Sequence, residues 1–141
     1  MVREEYEHHI ANMKRINGRI LQPTLHSKQS HTPLNMVCAF ALHSGKREIE
    51  QKQHWAEVRG KLKEIPNRHM IIWRTDANGQ LGRQEHTEHG RCRIIGPKVK
   101  EDKTEAGNGQ RLLNLCKQHH AIPMNTWHQP ALTEEEEKCH Q

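Results

Sequence analysis

Met70-Ile-Ile-Trp-Arg-Thr-Asp-Ala-Asn-Gly-Gln-Leu-Gly82 is the stretch that decides how this chain is read. Met70 to Trp73 are consecutive apolar residues, and the two isoleucines are β-branched. They follow the turn signal Pro66-Asn67. A short apolar run bounded by turn residues reads as a buried strand, central and parallel. The run leads into Asp76, Asn78, Gly79 and Gly82, so a carboxylate and a carboxamide stand at its C-terminal end. In open α/β sheets that edge is where ligands bind.

Working outward, Leu34-Asn-Met-Val-Cys-Ala-Phe-Ala-Leu42 reads as a second buried strand. Between the two, Lys46 to Glu64 is charged, but Trp55, Val58, Leu62 and Ile65 recur on one helical face. Ser44 is the expected N-cap, with Glu48 in the first turn. Gly60 weakens the helix by about 1 kcal/mol relative to Ala, and Pro66 ends it. Strand, helix, strand over 34–42, 46–64 and 69–74 predicts a right-handed βαβ unit. Arg19 to Leu25 is a further strand, placed at a sheet edge by Pro23 and joined to 34–42 as a hairpin across the polar loop 26–33. Glu4 to Arg15 reads as a short amphipathic helix on Tyr6, Ile10 and Met13, ending at Asn17-Gly18. Downstream, 75–93 is a loop and Arg93 to Pro97 a short extended piece. Asn108 caps a helix from Gly109 to His119 with Leu112, Leu115 and Cys116 on one face, and Ala121 to Met124 is a short strand. The organisation expected is a polar segment 1–33, an α/β domain over 34–128, and a Glu-rich disordered tail 129–141.

The 141 residues suffice for one domain. Only 33% are hydrophobic and the mean hydropathy is -1.02, so the core is small. The net charge of +5 and a pI near 9.2 point to polyanionic partners, nucleic acid first, with a solvated surface as the plain alternative. Cys38, Cys92, Cys116 and Cys139 form no Cys-x-x-Cys pair. The N-terminus lacks the apolar core of a signal peptide, so reduced thiols and an intracellular location are expected, nuclear if the partner is DNA. No run approaches the ~18 apolar residues that span a membrane.

Asp76 and Asn78 suit phosphodiester hydrolysis. A carboxylate can orient or activate water or assist a divalent metal, and a carboxamide can hydrogen-bond phosphoryl oxygens in the transition state. Ordinary turn chemistry before Gly79 is the other reading. His86 and His89 with Glu85 and Glu88, or Cys116 with His119 and His120, are conceivable zinc ligands, but neither spacing matches a four-ligand pattern. Arg68, Arg74, Arg83, Arg91, Arg93, Lys98, Lys100 and Lys103 crowd the strand end and its loops, where phosphate contacts would give salt-dependent, sequence-independent affinity. Trp127 could stack on a base or serve as an edge tryptophan.

Leu34 to Leu42 with His43-Ser44-Gly45, the Lys52/Trp55 helix, Ile65-Pro66 and Ile71 to Gly82 resemble the middle of an exonuclease–endonuclease–phosphatase (DNase-I-like) domain. The nearest variety is the endonuclease of non-LTR retrotransposons, shared with craniofacial development protein 2-like proteins. Thr75-Asp-Ala-Asn-Gly-Gln-Leu-Gly82 looks like that family's Gly-Asp-x-Asn-Ala-x-x-Gly. Gly107-Asn-Gly-Gln-Arg-Leu-Leu-Asn-Leu-Cys116 with Asn125-Thr-Trp127 is similar to its Asn-Gly-x-Arg-Leu…Cys…Asn-Thr-x-Phe segment. The resemblance covers roughly residues 34–128. It implies a partial DNase-I-like α/β sandwich, about one of two sheets with its packed helices, and Mg²⁺-dependent cleavage of DNA as the parent chemistry. It assigns Asp76 and Asn78 to the water and the scissile phosphate and sets Phe40 and His43 near phosphate; Arg74, a charge at the end of the apolar strand, is the further phosphate-binding candidate. Phe40 stands where the family has a phosphate-contacting Tyr, Leu42 replaces its Pro, and Thr75 replaces its Gly. No upstream Glu matches the family's metal ligand and no His its general base. The chain is therefore expected to be truncated at both ends and inactive alone. The alternative is a basic remnant that holds nucleic acid without cutting it, or that pairs with another chain through an exposed sheet edge.

Overall fold

The strand–helix–strand unit around Met70 to Gly82 is present, and the rest of the chain extends its sheet on one side. The computed structural model describes residues 9–27, 30–83, 94–99 and 103–127. Strands β1 (Ile10–Arg15), β2 (Ile20–Ser27), β3 (Ser30–Phe40) and β4 (Met70–Asp76) form one mixed sheet in the order β1-β2-β3-β4. The first two pairings are antiparallel and β3–β4 is parallel. Helix α1 (Glu48–Glu64) connects β3 to β4, helix α2 (Asn108–His119) follows, and a single 3-10 turn spans Met124–Thr126. The class is α/β, and among the described residues no helix is long and apolar enough to cross a membrane.

Four sequence expectations are corrected. First, β4 is parallel but not central. It is the outermost described strand, and Met70, Ile71 and Ile72 are 58%, 41% and 47% exposed. An apolar run reports what a strand could bury on both faces, whereas its place in the sheet depends on which strands are available to pair with it. Second, residues 10–15 are a strand rather than part of a helix. Fewer than ~12 residues make a marginal isolated helix, and pairing with β2 supplies backbone partners that the polar side chains cannot replace. Third, Pro23 lies in an interior strand. Paired positions on the β3 side pass from Leu21↔Cys38 to Thr24↔Asn35, so the residue without an N–H falls in a gap of the ladder. Fourth, Ala121 to Met124 makes no strand and leads into the 3-10 turn. The tail 129–141, the N-terminal residues 1–8 and the histidines of 84–93 lie outside the described residues.

Helix α1 begins later than expected. Arg47, not Ser44, is its N-cap, and the Glu50 carboxylate accepts from the Arg47 backbone at 3.3 Å and from its guanidinium at 3.2 Å. The predicted apolar stripe is the buried one: Trp55, Val58, Leu62 and Ile65 pack on Ile20, Val37 and Ala39 of the sheet. Leu112, Leu115 and Cys116 of α2 complete this core, and Trp55 meets Trp73 of β4 edge-on at 6.3 Å. Each fully buried apolar side chain contributes about 1.5–3 kcal/mol. Burial pushes the Cys116 thiol up to about 11, as suits a core cysteine. Among the described residues no three His, Cys, Asp or Glu side chains are placed to hold a metal ion.

Both helices cover the same face of the sheet. Strand alternation sends Asn35, Val37 and Ala39 of β3 toward them, all buried, and Leu34, Met36, Cys38 and Phe40 to the other face. The registers carry that second face across all four strands. One row holds Ile10, Leu25, Leu34 and Met70, and the next holds Met13, Pro23, Met36 and Ile72. Arg15, Leu21, Cys38 and Arg74 form the third row, and Phe40 pairs with Asp76 beyond it. No described element covers these rows, and Met13 and Phe40 are 50% and 49% exposed.

One buried and one half-buried histidine make stability pH-dependent. His54 is 5% exposed and its Nε2 has no hydrogen-bond partner. Burial holds its pKa below the ordinary imidazole value of 6.5, Arg19 acts in the same direction, and Glu57 opposes. His119 is lowered by burial, with Lys63, Arg59 and His120 adding to it. Above pH 6.5 both states are neutral at these positions. As pH falls below 6.5 the unfolded chain takes up protons that the folded chain refuses, so stability drops until the folded-state values are reached. The expected result is a lower urea midpoint at pH 5.5 than at pH 7.5, with a smaller difference in His54→Gln.

Candidate functional site

The third row of the open face places two guanidinium groups, Arg15 and Arg74, at opposite ends of a short apolar strip formed by Leu21 and Cys38. The β1–β2 turn adds a third. Asn17 Oδ1 accepts from the Arg19 backbone N–H at 2.7 Å, and the Phe40 N–H bonds to the Arg19 carbonyl at 3.0 Å. These bonds set the Arg19 guanidinium 5.4 Å from the centre of the Phe40 ring, a cation–π contact. The result is an open groove of about 730 Å³ lined by Arg15, Arg19, Phe40, Arg74 and Asp76 over Leu21 and Cys38. Three cations surround one carboxylate, so the groove favours anions.

Of the candidate residues, Phe40, Arg74 and Asp76 come together here, while His43 and Asn78 do not line the groove. Asp76 is exposed, and its Oδ1 accepts from the Asn78 backbone N–H at 3.1 Å. Asn78 has φ 46°, a left-handed conformation that asparagine tolerates. Its carboxamide turns inward and donates to the Ala41 carbonyl at 2.8 Å. The turn chemistry of Asp-x-Asn-Gly is thus what the geometry displays. The His43 Nδ1 accepts from the Gly45 N–H at 3.1 Å within its own turn.

Beneath this loop lies a buried junction. Asn108 is 3% exposed and is the first residue of α2, not its cap; Gly107 is the N-cap. Its Oδ1 accepts from Trp55 Nε1 at 2.8 Å, and its Nδ2 donates to the Leu42 carbonyl at 2.6 Å and the Asn78 carbonyl at 3.3 Å. One side chain therefore joins α1, the end of β3 and the loop after β4. Gln51 works similarly. Its Nε2 donates to the Lys46 carbonyl at 2.9 Å, and its Oε1 accepts from Arg111 at 2.9 Å. Trp127 is held by a bond from Nε1 to the Ile94 carbonyl at 3.1 Å, an edge role rather than an open stacking platform.

Sequence reading missed Arg15 and Arg19, because nothing local marks them. Of the cations near the strand end that are among the described residues, only Arg74 lines the groove; Arg91, Arg93 and Lys100 lie outside the described residues. The signal that finds Arg15 is the register, which cannot be read until β1 is known to be a strand. Magnesium binding needs an octahedral set of oxygens, commonly with one or two carboxylates. Among the described residues the groove offers one carboxylate, Asp76, beside three arginines. Comparisons with protein-family models, curated proteins and solved structures return no match.

Proposed function

We propose that this chain is a retroelement-endonuclease-type domain whose groove holds the phosphate backbone of a nucleic acid without cutting it. The observation that carries the reading is the cross-strand row from Arg15 to Arg74, flanked by Arg19 and the Phe40 ring. Guanidinium groups at both ends of an apolar strip suit phosphates of one strand about two nucleotides apart, with a base lying on Phe40 beside the row. Ancestry rests on the sequence resemblance. Two of its motifs, 75–82 and 107–116, meet in the fold where Gly79 and Gly109 pass backbone against backbone. Absence of cleavage rests on the engagement of Asp76 and Asn78 in their own turn and on Asp76 being the one carboxylate of the groove among the described residues.

A salt titration of affinity for a single-stranded oligonucleotide tests binding. Each backbone contact contributes a slope of about -0.7 in log K against log salt. Arg15→Ala, Arg19→Ala and Arg74→Ala are each expected to flatten the slope by about that amount; a flat wild-type line would sink the reading. Asp76 separates binding from catalysis. As a like charge beside bound phosphate it opposes binding by about 1 kcal/mol, so Asp76→Asn should tighten affinity about fivefold. A cleaving enzyme would instead show Mg²⁺-dependent nicking of supercoiled DNA, abolished by EDTA and by Asp76→Asn.

A further inference from the structure

We infer that the open face of the sheet is covered by a second copy of this chain, packed face to face about a two-fold axis. The face carries two wholly apolar rows, Ile10 to Met70 and Met13 to Ile72, with Leu21 and Cys38 in the third. Contiguous apolar surface of this size marks an interaction site, and the usual cover for an apolar sheet face is another sheet about 10 Å away.

Charge fixes the orientation. A two-fold axis running along the Met13–Pro23–Met36–Ile72 row stacks the strands antiparallel and sets that row on itself. The Ile10–Met70 row of each copy then covers Leu21 and Cys38 of the other, and the two arginine rows lie at opposite ends. The alternative axis, parallel to the strands, would bring Arg15 of one copy onto Arg74 of the other. Three rows across four strands project roughly 400 Å² per copy. With side-chain relief both copies bury about 1,000 Å², the lower bound for a specific interface, so a micromolar dimer is expected. It closes part of the arginine groove, so the test is run without polyanion and stands apart from the nucleic-acid reading.

Ile71 and Ile72 make the test sharp. They are neighbours on the same outer strand with similar exposure, but alternation sends Ile72 to the open face and Ile71 to the helix side. Being exposed already, both tolerate Lys without loss of the fold, which circular dichroism checks. Sedimentation from about 1 to 100 μM should show the mass rising from one 16.5 kDa chain toward twice that value. Ile72→Lys sets two ammonium groups against each other at the axis, and a shift of at least tenfold in the dissociation constant is expected. Ile71→Lys should change it less than about twofold. A monomer throughout the range overturns the inference. Equal effects of the two substitutions also overturn it, because they indicate edge-to-edge pairing of β4, and so does open-ended growth beyond the dimer.

Discussion

Asn108→Ala is expected to destabilise the fold by about 2–4 kcal/mol. The deletion strands three groups at once: the buried Trp55 indole N–H and the part-buried Leu42 and Asn78 carbonyls. A buried donor or acceptor left unpaired costs about 1–3 kcal/mol. Asn108 and Trp55 are 3% and 2% exposed, so water reaches neither without opening the junction. Asn108→Asp is no rescue. It keeps an acceptor for Trp55 but turns a carboxylate toward two carbonyls. Urea unfolding of Asn108→Ala, Trp55→Phe and the double variant measures the coupling, and the double variant should lose about 1 kcal/mol less than the sum of the singles. Amide exchange should quicken around Leu42 and Asn78 in Asn108→Ala, since both loops are tied by that one side chain. A loss below about 1 kcal/mol would mean that the junction is hydrated and that the loops after β3 and β4 are positioned by something else.

How far the sequence carried can be judged from particular residues. The α1 stripe of Trp55, Val58, Leu62 and Ile65 was legible because its period is local and its burial is one-sided. The β3–α1–β4 order was legible for the same reason, and the antiparallel β2–β3 pair followed from two strand signals close in sequence. The position of β4 was not legible. Met70 to Trp73 look the same whether a strand covers them or not, and the answer depends on pairing elsewhere in the sheet. Strand β1 was hidden because its side chains bury little; only the ladder to β2 holds it, and side-chain periodicity cannot report a backbone ladder. That error propagated to the site. With residues 10–15 taken as a helix, Arg15 has no register, and the row Arg15–Leu21–Cys38–Arg74 does not exist on paper. At Asp76 and Asn78 the sequence leaves two roles open, and the bonds from the Asn78 N–H to Asp76 and from its carboxamide to the Ala41 carbonyl show the turn geometry. Asn108 shows the limit most clearly. A helix-start signal was read correctly within one residue, while the side chain's real partners lie 30 to 66 positions away.

The second large effect tests whether the loop after β4 is truly pressed against α2, and it comes as a pair of identical substitutions with opposite signs. Gly60 lies inside α1, and a Cβ added there meets nothing within 4 Å. Gly60→Ala should therefore gain the ordinary helix preference, about 0.8–1 kcal/mol. Gly109 is the second residue of α2, where the same preference applies. There, however, an added Cβ runs into the Gln80 carbonyl oxygen, with the Glu105 Cβ at 3.3 Å on its flank. The obstacle is backbone, and it is held in place: the Gln80 carbonyl accepts from the Glu105 N–H at 3.0 Å, and the Gln80 N–H donates to the Glu105 carboxylate at 3.0 Å. Relief requires the loop to withdraw by about an ångström, which breaks those bonds and lifts Gly79, whose own added Cβ would stand 2.5 Å from the Gly109 nitrogen. Overpacking of this kind costs about 1–3 kcal/mol, more where backbone must move. Set against a propensity gain of about 1 kcal/mol, Gly109→Ala should lose roughly 2 kcal/mol net. Urea midpoints moving up for Gly60→Ala and down for Gly109→Ala are the expected result. If both substitutions stabilise, the close approach of 79–80 to α2 is not a feature of the folded chain, and the meeting of the two motifs on which the ancestry proposal partly leans falls with it.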